Sequence, residues 1–263
     1  MKQRIITAFL ALVLFIPLTL YGSWPFTIFV YLLASIGLWE LLRMKETHKY
    51  LFPSLLAMFT LWIMLAPLSV SQSFLWHHKS EIIMIFVLIL LSYTVLKKNK
   101  FTFDDAGFVL LATLYVGMGF FYFLETRHSD NGLATILFVL FIVWATDTGA
   151  YFFGKAFGKN KLWPKISPNK TIEGALGGIV LASIVGVIFH IVHPFDNTLI
   201  TIIGVTIVAS IFGQIGDLVE SALKRHFNVK DSGTILPGHG GILDRFDSMM
   251  FVFPLLHFIQ FIS

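Results

Sequence analysis

The sequence predicts an all-α, polytopic integral membrane protein with about nine transmembrane helices and a cytoplasmic N-terminus. Two compositional observations lead to this fold class: a mean hydropathy of +0.80, and 56% hydrophobic against only 13% charged residues. A water-soluble domain of 263 residues does not normally have this composition. The 28 phenylalanines exclude intrinsic disorder, and a sequence without cysteine excludes a disulfide-built secreted domain.

Nine apolar stretches have about the length that an α-helix needs to cross a bilayer, roughly 20 residues. They cover residues 5 to 22, 25 to 42, 51 to 70, 81 to 96, 107 to 124, 133 to 150, 174 to 193, 198 to 216 and 249 to 263. Their length and their lack of apolar-polar alternation disfavour a transmembrane β-barrel. The first stretch is either a cleaved signal peptide or an uncleaved anchor. Its length and the lack of an Ala-x-Ala-like site favour the anchor.

Basic residues predict the orientation of these spans. With the N-terminus inside, only Lys79 and Arg127 of the 19 lysines and arginines lie in external segments, in agreement with the positive-inside rule. The two longest internal loops, 151–173 and 217–248, are therefore expected to face the cytoplasm. The net charge of +4 does not indicate a nucleic-acid partner, because the charges lie between apolar stretches rather than on one basic face of a soluble fold.

The two cytoplasmic loops differ in charge. Residues 151–173 carry five lysines against Glu173, whereas 217–247 combine basic residues with an acid cluster. That cluster consists of Asp217, Glu220, Asp231, Asp244 and Asp247. Carboxylates beside a lysine-rich loop suit a site where Mg²⁺ is held by acidic oxygens while cations and backbone amides hold the phosphates that it bridges.

Helical spacing groups several of these side chains. Asp217, Glu220, Ser221 and Lys224 fall on one face of a helix that continues from the eighth span. Asp244 and Asp247 repeat the spacing where the ninth span begins, with Asp244 near the helix start, where carboxylates are favoured. Between the two groups, the glycines of residues 236–241 let the backbone approach a ligand closely.

Asp147 and the segment 167–174 are the remaining candidates. An acid inside an apolar span indicates a functional site, although Asp147 can also be read as a residue that only ends its helix at the interface. In the segment 167–174, Thr171, Asn169 or Ser167 is a candidate helix cap, and Lys170 is expected to reach toward an anion. Gly174 and Gly178, four residues apart, predict close helix packing rather than ligand contact.

Residues 221–247 carry polar residues, glycines and a proline at fixed spacing. These positions are Ser221, Lys224, Arg225, Lys230, Asp231, Pro237, His239, Gly240, Gly241, Asp244, Arg245 and Asp247. In this segment the sequence resembles a known family, the phosphatidate cytidylyltransferases or CDP-diacylglycerol synthases, without a departure from the family signature. The segments Asp147 to Lys155 and Ser167 to Gly174 also look like the family, whereas the N-terminal half resembles it only in hydropathy.

The resemblance implies that CTP and phosphatidic acid react to give CDP-diacylglycerol and pyrophosphate, assisted by Mg²⁺ and a monovalent cation such as K⁺, in a homodimer of the plasma membrane. It also implies that residues 1–132 are a transmembrane scaffold for dimerisation and that residues 133–263 are the catalytic region. Asp217 and Asp244 match the metal-binding acids of the family.

The other implied roles follow the same matches. Catalytic roles are expected for Lys224, Arg225, Lys230, Asp231, His239 and Arg245. Substrate or cofactor contacts are expected for Asp147, Lys170, Ser221, Gly240 and Gly241. The alternatives are a CTP-dependent lipid-alcohol (polyprenol) kinase and, from another class, an ion-coupled transporter that uses Asp147.

Overall fold

The computed structural model describes residues 2–66 and 78–262. Within these residues there are ten α-helices, one 3₁₀ turn and two short strands. In chain order they are α1 Lys2–Tyr21, α2 Ser23–Met44, the 3₁₀ turn Thr47–Lys49, α3 Leu51–Met64, α4 Lys79–Leu96, α5 Phe103–His128, α6 Gly132–Phe157, β1 Lys161–Trp163, β2 Ser167–Thr171, α7 Ile172–Val192, α8 Leu199–His226, α9 Leu243–Phe246 and α10 Met249–Phe258.

The predicted fold class is confirmed: the chain is an all-α, polytopic membrane protein. In the described part of the chain, six helices are long and apolar enough to cross a membrane, namely α2 and α4 to α8. Shorter apolar helices occupy the other three predicted stretches, at Ile6–Tyr21, Leu51–Met64 and Met249–Phe258. The predicted end of the third stretch, residues 67–70, lies outside the described residues. Orientation relative to the cytoplasm stays a prediction.

A small antiparallel hairpin is the element that hydropathy did not predict. Lys161 pairs with Thr171 and Trp163 with Ser167, just before α7. Glu173 fixes the base of the hairpin, because its carboxylate accepts hydrogen bonds from the backbone N–H groups of Lys159 and Asn160, at 3.2 Å each. The predicted loop 151–173 is therefore largely ordered structure.

Contacts divide the chain into two compact units. The first contains Met1–Glu125 together with Asp231–Asp244, and the second contains Thr126–Lys230 and Arg245–Ser263. The sequence placed the division at residue 132 and kept 231–244 with the C-terminal region. In the structure this short segment packs instead with the N-terminal helices of the first unit.

Aromatic side chains fill the core of the first unit. Phe26 and Phe123 are buried, and their rings meet edge to face with centroids 5.2 Å apart. Many other large apolar side chains are exposed on the helices of both units, for example Leu55 and Val192. Exposed apolar surface on this scale is expected where lipid rather than water surrounds a protein.

Small residues let α6 and α7 pack closely in the second unit. A Cβ atom added to Gly178 would lie 2.7 Å from the carbonyl oxygen of Thr146, and one added to Gly174 would lie 2.7 Å from that of Ala150. Close backbone approach through small residues is a common way to join membrane helices. The packing prediction for Gly174 and Gly178 is therefore confirmed. It fixes Asp147 on α6 relative to the start of α7.

Replacing Gly178 by Ala is expected to destabilise the second unit by about 1–3 kcal/mol, because the added methyl group meets backbone that cannot move aside. Gly204→Ala on α8 is the matched control, since a Cβ there meets no atom within 4 Å. Thermal unfolding of the detergent-purified variants measures the difference. A Gly178→Ala melting temperature equal to or above that of Gly204→Ala would contradict the packing described here.

Candidate active site

A cavity of about 510 Å³ lies in the second unit and is lined by α6, the hairpin, α7 and α8. This volume is in the range of small-molecule sites. Its polar lining contains residues of both predicted loops, 151–173 and 217–248. The polar residues that matter below are Asp147, Tyr151, Lys155, Asn169, Lys170 and Asp217. Acidic and basic candidates that are far apart in sequence therefore line one cavity.

The ion pair between Lys170 and Asp217 is the central contact of this cavity. The Lys170 ammonium binds Oδ2 of Asp217, while the Ser221 hydroxyl donates to Oδ1 of the same carboxylate at 3.3 Å. The side chains of Lys170 and Asp217 keep 26% and 30% of their surface exposed. The pair is therefore held in place and remains accessible to a ligand.

Local structure explains why Lys170 points to this carboxylate. Of the three candidate caps, Thr171 is the one used: its hydroxyl accepts a hydrogen bond from the N–H of Gly174 at 3.1 Å. Lys170 is the residue before the cap, on β2, so the hairpin and the helix start fix its backbone from both sides. The cap is also part of the cavity wall.

Three aspartates lie within electrostatic range of one another in this unit. The charge of Asp217 acts on both Asp147 and Asp247, and Asp147 acts on Asp247. Burial and the Asp217 carboxylate raise the pKa of Asp247, which lies in the turn before α10, to about 7. The α6 helix continues past Asp147 to Phe157, so the interpretation that Asp147 only ends its helix is wrong.

The described carboxylates do not form a complete metal site by themselves. Within residues 2–66 and 78–262, no three His, Cys, Asp or Glu side chains form a group that would hold a metal by themselves. Mg²⁺ in phosphate-transfer sites is usually bound by one or two carboxylates, substrate phosphates and water, so such a group is not required. Asp217 belongs to the second unit and Asp244 to the first, and their joint metal binding stays a prediction.

In the first unit, Asp244 organises the segment 231–244. Its Oδ2 atom accepts hydrogen bonds of 2.8 Å from the N–H groups of Ser232 and Gly241, and it lies 2.8 Å from the Ser232 hydroxyl oxygen. Gly240 has φ of +84°, and a Cβ there would lie 2.4 Å from the same oxygen. The glycines predicted to let backbone approach a ligand thus let it wrap around the Asp244 carboxylate. Asp244 lies in the first turn of the separate short helix α9 rather than at the start of the ninth span itself.

The remaining predicted residues are distributed over both units. Lys224 binds the buried Glu220 at 2.6 Å, one turn earlier on α8, and the Arg225 side chain donates to the carbonyl of Ile166 in the hairpin at 3.3 Å. Lys230, Asp231 and Arg245 are exposed. His239 lies in the turn of the glycine-rich segment, where its Nδ1 atom is buried and has no hydrogen-bond partner among the described residues. These placements do not test the predicted catalytic roles.

Two polar residues near the candidate sites were not predicted from the sequence. Gln214 lines the cavity and donates to the carbonyl of Ala175 at 3.3 Å. Glu40 is buried in α2 and binds the segment 231–244. For Glu40 a signal was present, because it is an acid inside an apolar stretch, which is the pattern that led to Asp147. An isolated amide such as Gln214 carries no comparable signal.

A helical membrane protein with a cavity lined by carboxylates and lysines has the features of a membrane enzyme for phosphate-bearing substrates. The particular family follows from comparison. A family model described as "Cytidylyltransferase family" matches residues 2–263. The chain belongs to this family.

Similar proteins of known name cover the whole chain. A phosphatidate cytidylyltransferase of Bacillus subtilis is 52% identical, with 98% of this chain and 97% of the relative covered. Proteins of the same name from Staphylococcus haemolyticus and Staphylococcus aureus are each 51% identical, with 98% of both chains covered. The resemblance drawn from the motifs is therefore confirmed, and it extends over the N-terminal half.

Replacing Lys224 by Met is expected to lower the stability by about 3 kcal/mol, because it leaves the Glu220 carboxylate, which is 1% exposed, without this charge partner. The double variant Glu220→Gln with Lys224→Met is expected to regain most of the loss. Thermal unfolding in detergent measures both. If Lys224→Met unfolds like the parent protein, the ion pair is not a structural element of α8.

Proposed function

We propose that this protein transfers the cytidylyl group of CTP to phosphatidic acid, giving CDP-diacylglycerol and pyrophosphate. The observation that carries this assignment is the 51–52% identity, over 98% of the chain, to proteins named phosphatidate cytidylyltransferase. The signature at residues 221–247 supports the same reaction.

The chemistry requires little covalent help from the protein. A phosphate monoester has its second pKa near 6, so phosphatidic acid is largely dianionic at neutral pH and needs no dedicated general base. One of its phosphate oxygens attacks the α-phosphorus of CTP. The bond from that phosphorus to the oxygen bridging to the β-phosphate breaks, and this oxygen leaves with pyrophosphate. Positioning and electrostatic stabilisation therefore supply the rate.

The residues of the cavity provide both the positioning and the electrostatic stabilisation. Lys170 and Lys155 are positioned to neutralise phosphate oxygens, and Asp217 holds Lys170 in place until a ligand enters. Lys230 and Arg245 are exposed and accessible to an anionic substrate, and so is Arg225, whose side chain donates to the Ile166 carbonyl. His239 of the glycine-rich segment is proposed to contact phosphate or the base.

We further propose Mg²⁺ as the cofactor and K⁺ as a second cation. Asp217 and Asp244 are the proposed metal-binding acids, and a bound Mg²⁺ would supply charge neutralisation for the triphosphate. The proximity of Asp147, Asp217 and Asp247 supports a cation requirement, because a positive charge among these carboxylates would relieve their mutual repulsion.

The proposed location is the plasma membrane, with the active site on the cytoplasmic face and a homodimer as the assembly. The distribution of lysine and arginine supports this orientation. The two substrates support it as well. CTP arrives from the cytosol, whereas the headgroup of phosphatidic acid stays at the membrane surface, so both meet only at headgroup depth.

Replacing Asp217 by Asn is expected to reduce turnover by about 100-fold or more, because the variant loses the charge that holds Lys170 and the proposed metal. Incubation with α-labelled CTP and phosphatidic acid, followed by counting label in the lipid phase, measures turnover. Asp196→Asn is the matched control, since Asp196 is exposed in the segment before α8. Parent-level activity of Asp217→Asn, with an unchanged melting temperature, would refute the assignment.

The same assay separates the proposed reaction from that of a CTP-dependent lipid kinase. Cytidylyl transfer puts α-label into the lipid and releases pyrophosphate. A kinase transfers the γ-phosphate and leaves the α-label in water-soluble CDP. Label that stays entirely in CDP while a phospholipid forms would replace the proposed function by the alternative.

Removing divalent cations with EDTA is expected to abolish turnover without unfolding the protein, and added Mg²⁺ is expected to restore it. The reason is that the carboxylates alone repel the triphosphate, whereas a divalent cation reverses the sign of the local charge. Turnover that continues in excess EDTA would show that catalysis does not depend on a divalent cation.

A further inference from the structure

Glu40 is a buried acid in a region that the sequence described as apolar scaffold. It lies on α2 and is 5% exposed. Its Oε2 atom accepts hydrogen bonds from the Ser232 hydroxyl and from the N–H of Leu243, at 3.0 Å each, and Oε1 accepts one from the N–H of Ile242 at 2.9 Å. All three donors belong to the segment 231–244.

Two of these donors lie at the start of α9: Leu243 is its first residue, and Ile242 is the residue before it. The first N–H groups of a helix have no partner within the helix, and a carboxylate is a preferred acceptor for them. Glu40 supplies that carboxylate from a helix 202 residues earlier in the chain. The position of α9, and therefore of Asp244 in its first turn, is tied to α2 by this contact.

The third donor links Glu40 to Asp244. The Ser232 hydroxyl oxygen lies 3.0 Å from Oε2 of Glu40 and 2.8 Å from Oδ2 of Asp244. The segment is also shaped to receive Glu40, because a Cβ on Gly233 or on Gly241 would lie 2.4 Å from Oε1 of Glu40. Glu40, Ser232 and Asp244 thus form one connected polar network inside the first unit.

We propose that Glu40 is a positioning residue for cytidylyl transfer: it sets the orientation of Asp244 and of the glycine-rich backbone, and does not itself touch substrate. This inference rests on the proposed function, because Asp244 is the predicted metal-binding acid. It also gives the N-terminal helices a part in catalysis.

The first test replaces Glu40 by Gln. Glutamine has nearly the same shape, but its amide nitrogen is a donor and would face the N–H of either Ile242 or Leu243, which bind different oxygens of Glu40. We expect kcat to fall by about 10- to 100-fold, the size of effect seen when the residues that orient a functional group are changed. We expect the KM for CTP to change much less. Glu46→Gln is the matched control, since Glu46 is exposed and pairs with the exposed Lys49.

The second test distinguishes positioning from simple stabilisation. Ser232→Ala removes the link between the two carboxylates. The loss of kcat in the double variant Glu40→Gln with Ser232→Ala is expected to be smaller than the sum of the two single losses in free energy, because both residues act through one network. Melting temperatures and the fraction of folded protein are measured for each variant.

Three outcomes are informative. A lower kcat of folded Glu40→Gln, together with less-than-additive losses, supports the inference. If folded Glu40→Gln retains the parent kcat, or if only its melting temperature falls, Glu40 has a structural role and the inference is overturned. If the unaltered protein incorporates no α-label into lipid, the proposed function itself fails, and this outcome is distinct from the other two.

Discussion

The ion pair between Lys170 and Asp217 is the contact on which the candidate site depends. It joins β2 to α8 across 47 residues of sequence and places a cation and an acid on one cavity wall. Each partner is fixed by its own local structure. The hairpin and the Thr171 cap hold Lys170, and the Ser221 hydroxyl holds the Asp217 carboxylate. A preorganised arrangement of this kind is what phosphate-transfer chemistry needs, since the protein contributes position and charge rather than a nucleophile.

Buried or partly buried carboxylates are the second main feature of the structure. The two units surround these carboxylates with different groups. In the second unit Asp147, Asp217 and Asp247 act on one another. In the first unit, Asp244 and Glu40 are surrounded by N–H and hydroxyl donors. The first arrangement suits an incoming cation, whereas in the second the donors fix the backbone around Glu40 and around Oδ2 of Asp244, the other proposed metal-binding acid. Acids that look equivalent in sequence therefore have different tasks.

The sequence predicted the helices well because their signal is strong: a run of apolar residues of spanning length has few alternative structures. It also predicted the grouping of Asp217 with Ser221, since helical spacing alone brings them together. The hairpin was missed because its strands are three and five residues long and carry lysine, proline and asparagine, so hydropathy gives no indication of them.

Long-range contacts explain the other differences. The sequence predicted that Lys170 reaches toward an anion, but not that it pairs with Asp217. That pairing depends on the tertiary packing of α6, α7 and α8, which no local sequence pattern indicates. The role of Glu40 depends on a contact across 202 residues. Glu40 was not predicted, although an acid inside an apolar stretch is unusual, and no local pattern names its partners.

The affinity for CTP in the presence of Mg²⁺ tests the central claim most directly, because it asks whether the cavity around Lys170 receives the nucleotide. Equilibrium binding to the parent protein is compared with binding to Lys170→Met and to Lys165→Met, the latter being an exposed lysine of the same hairpin. Loss of one charge-assisted hydrogen bond to phosphate is expected to weaken CTP binding by about 10- to 100-fold in Lys170→Met, while Lys165→Met binds like the parent. Equal affinity of the folded Lys170→Met variant and the parent protein would contradict the account.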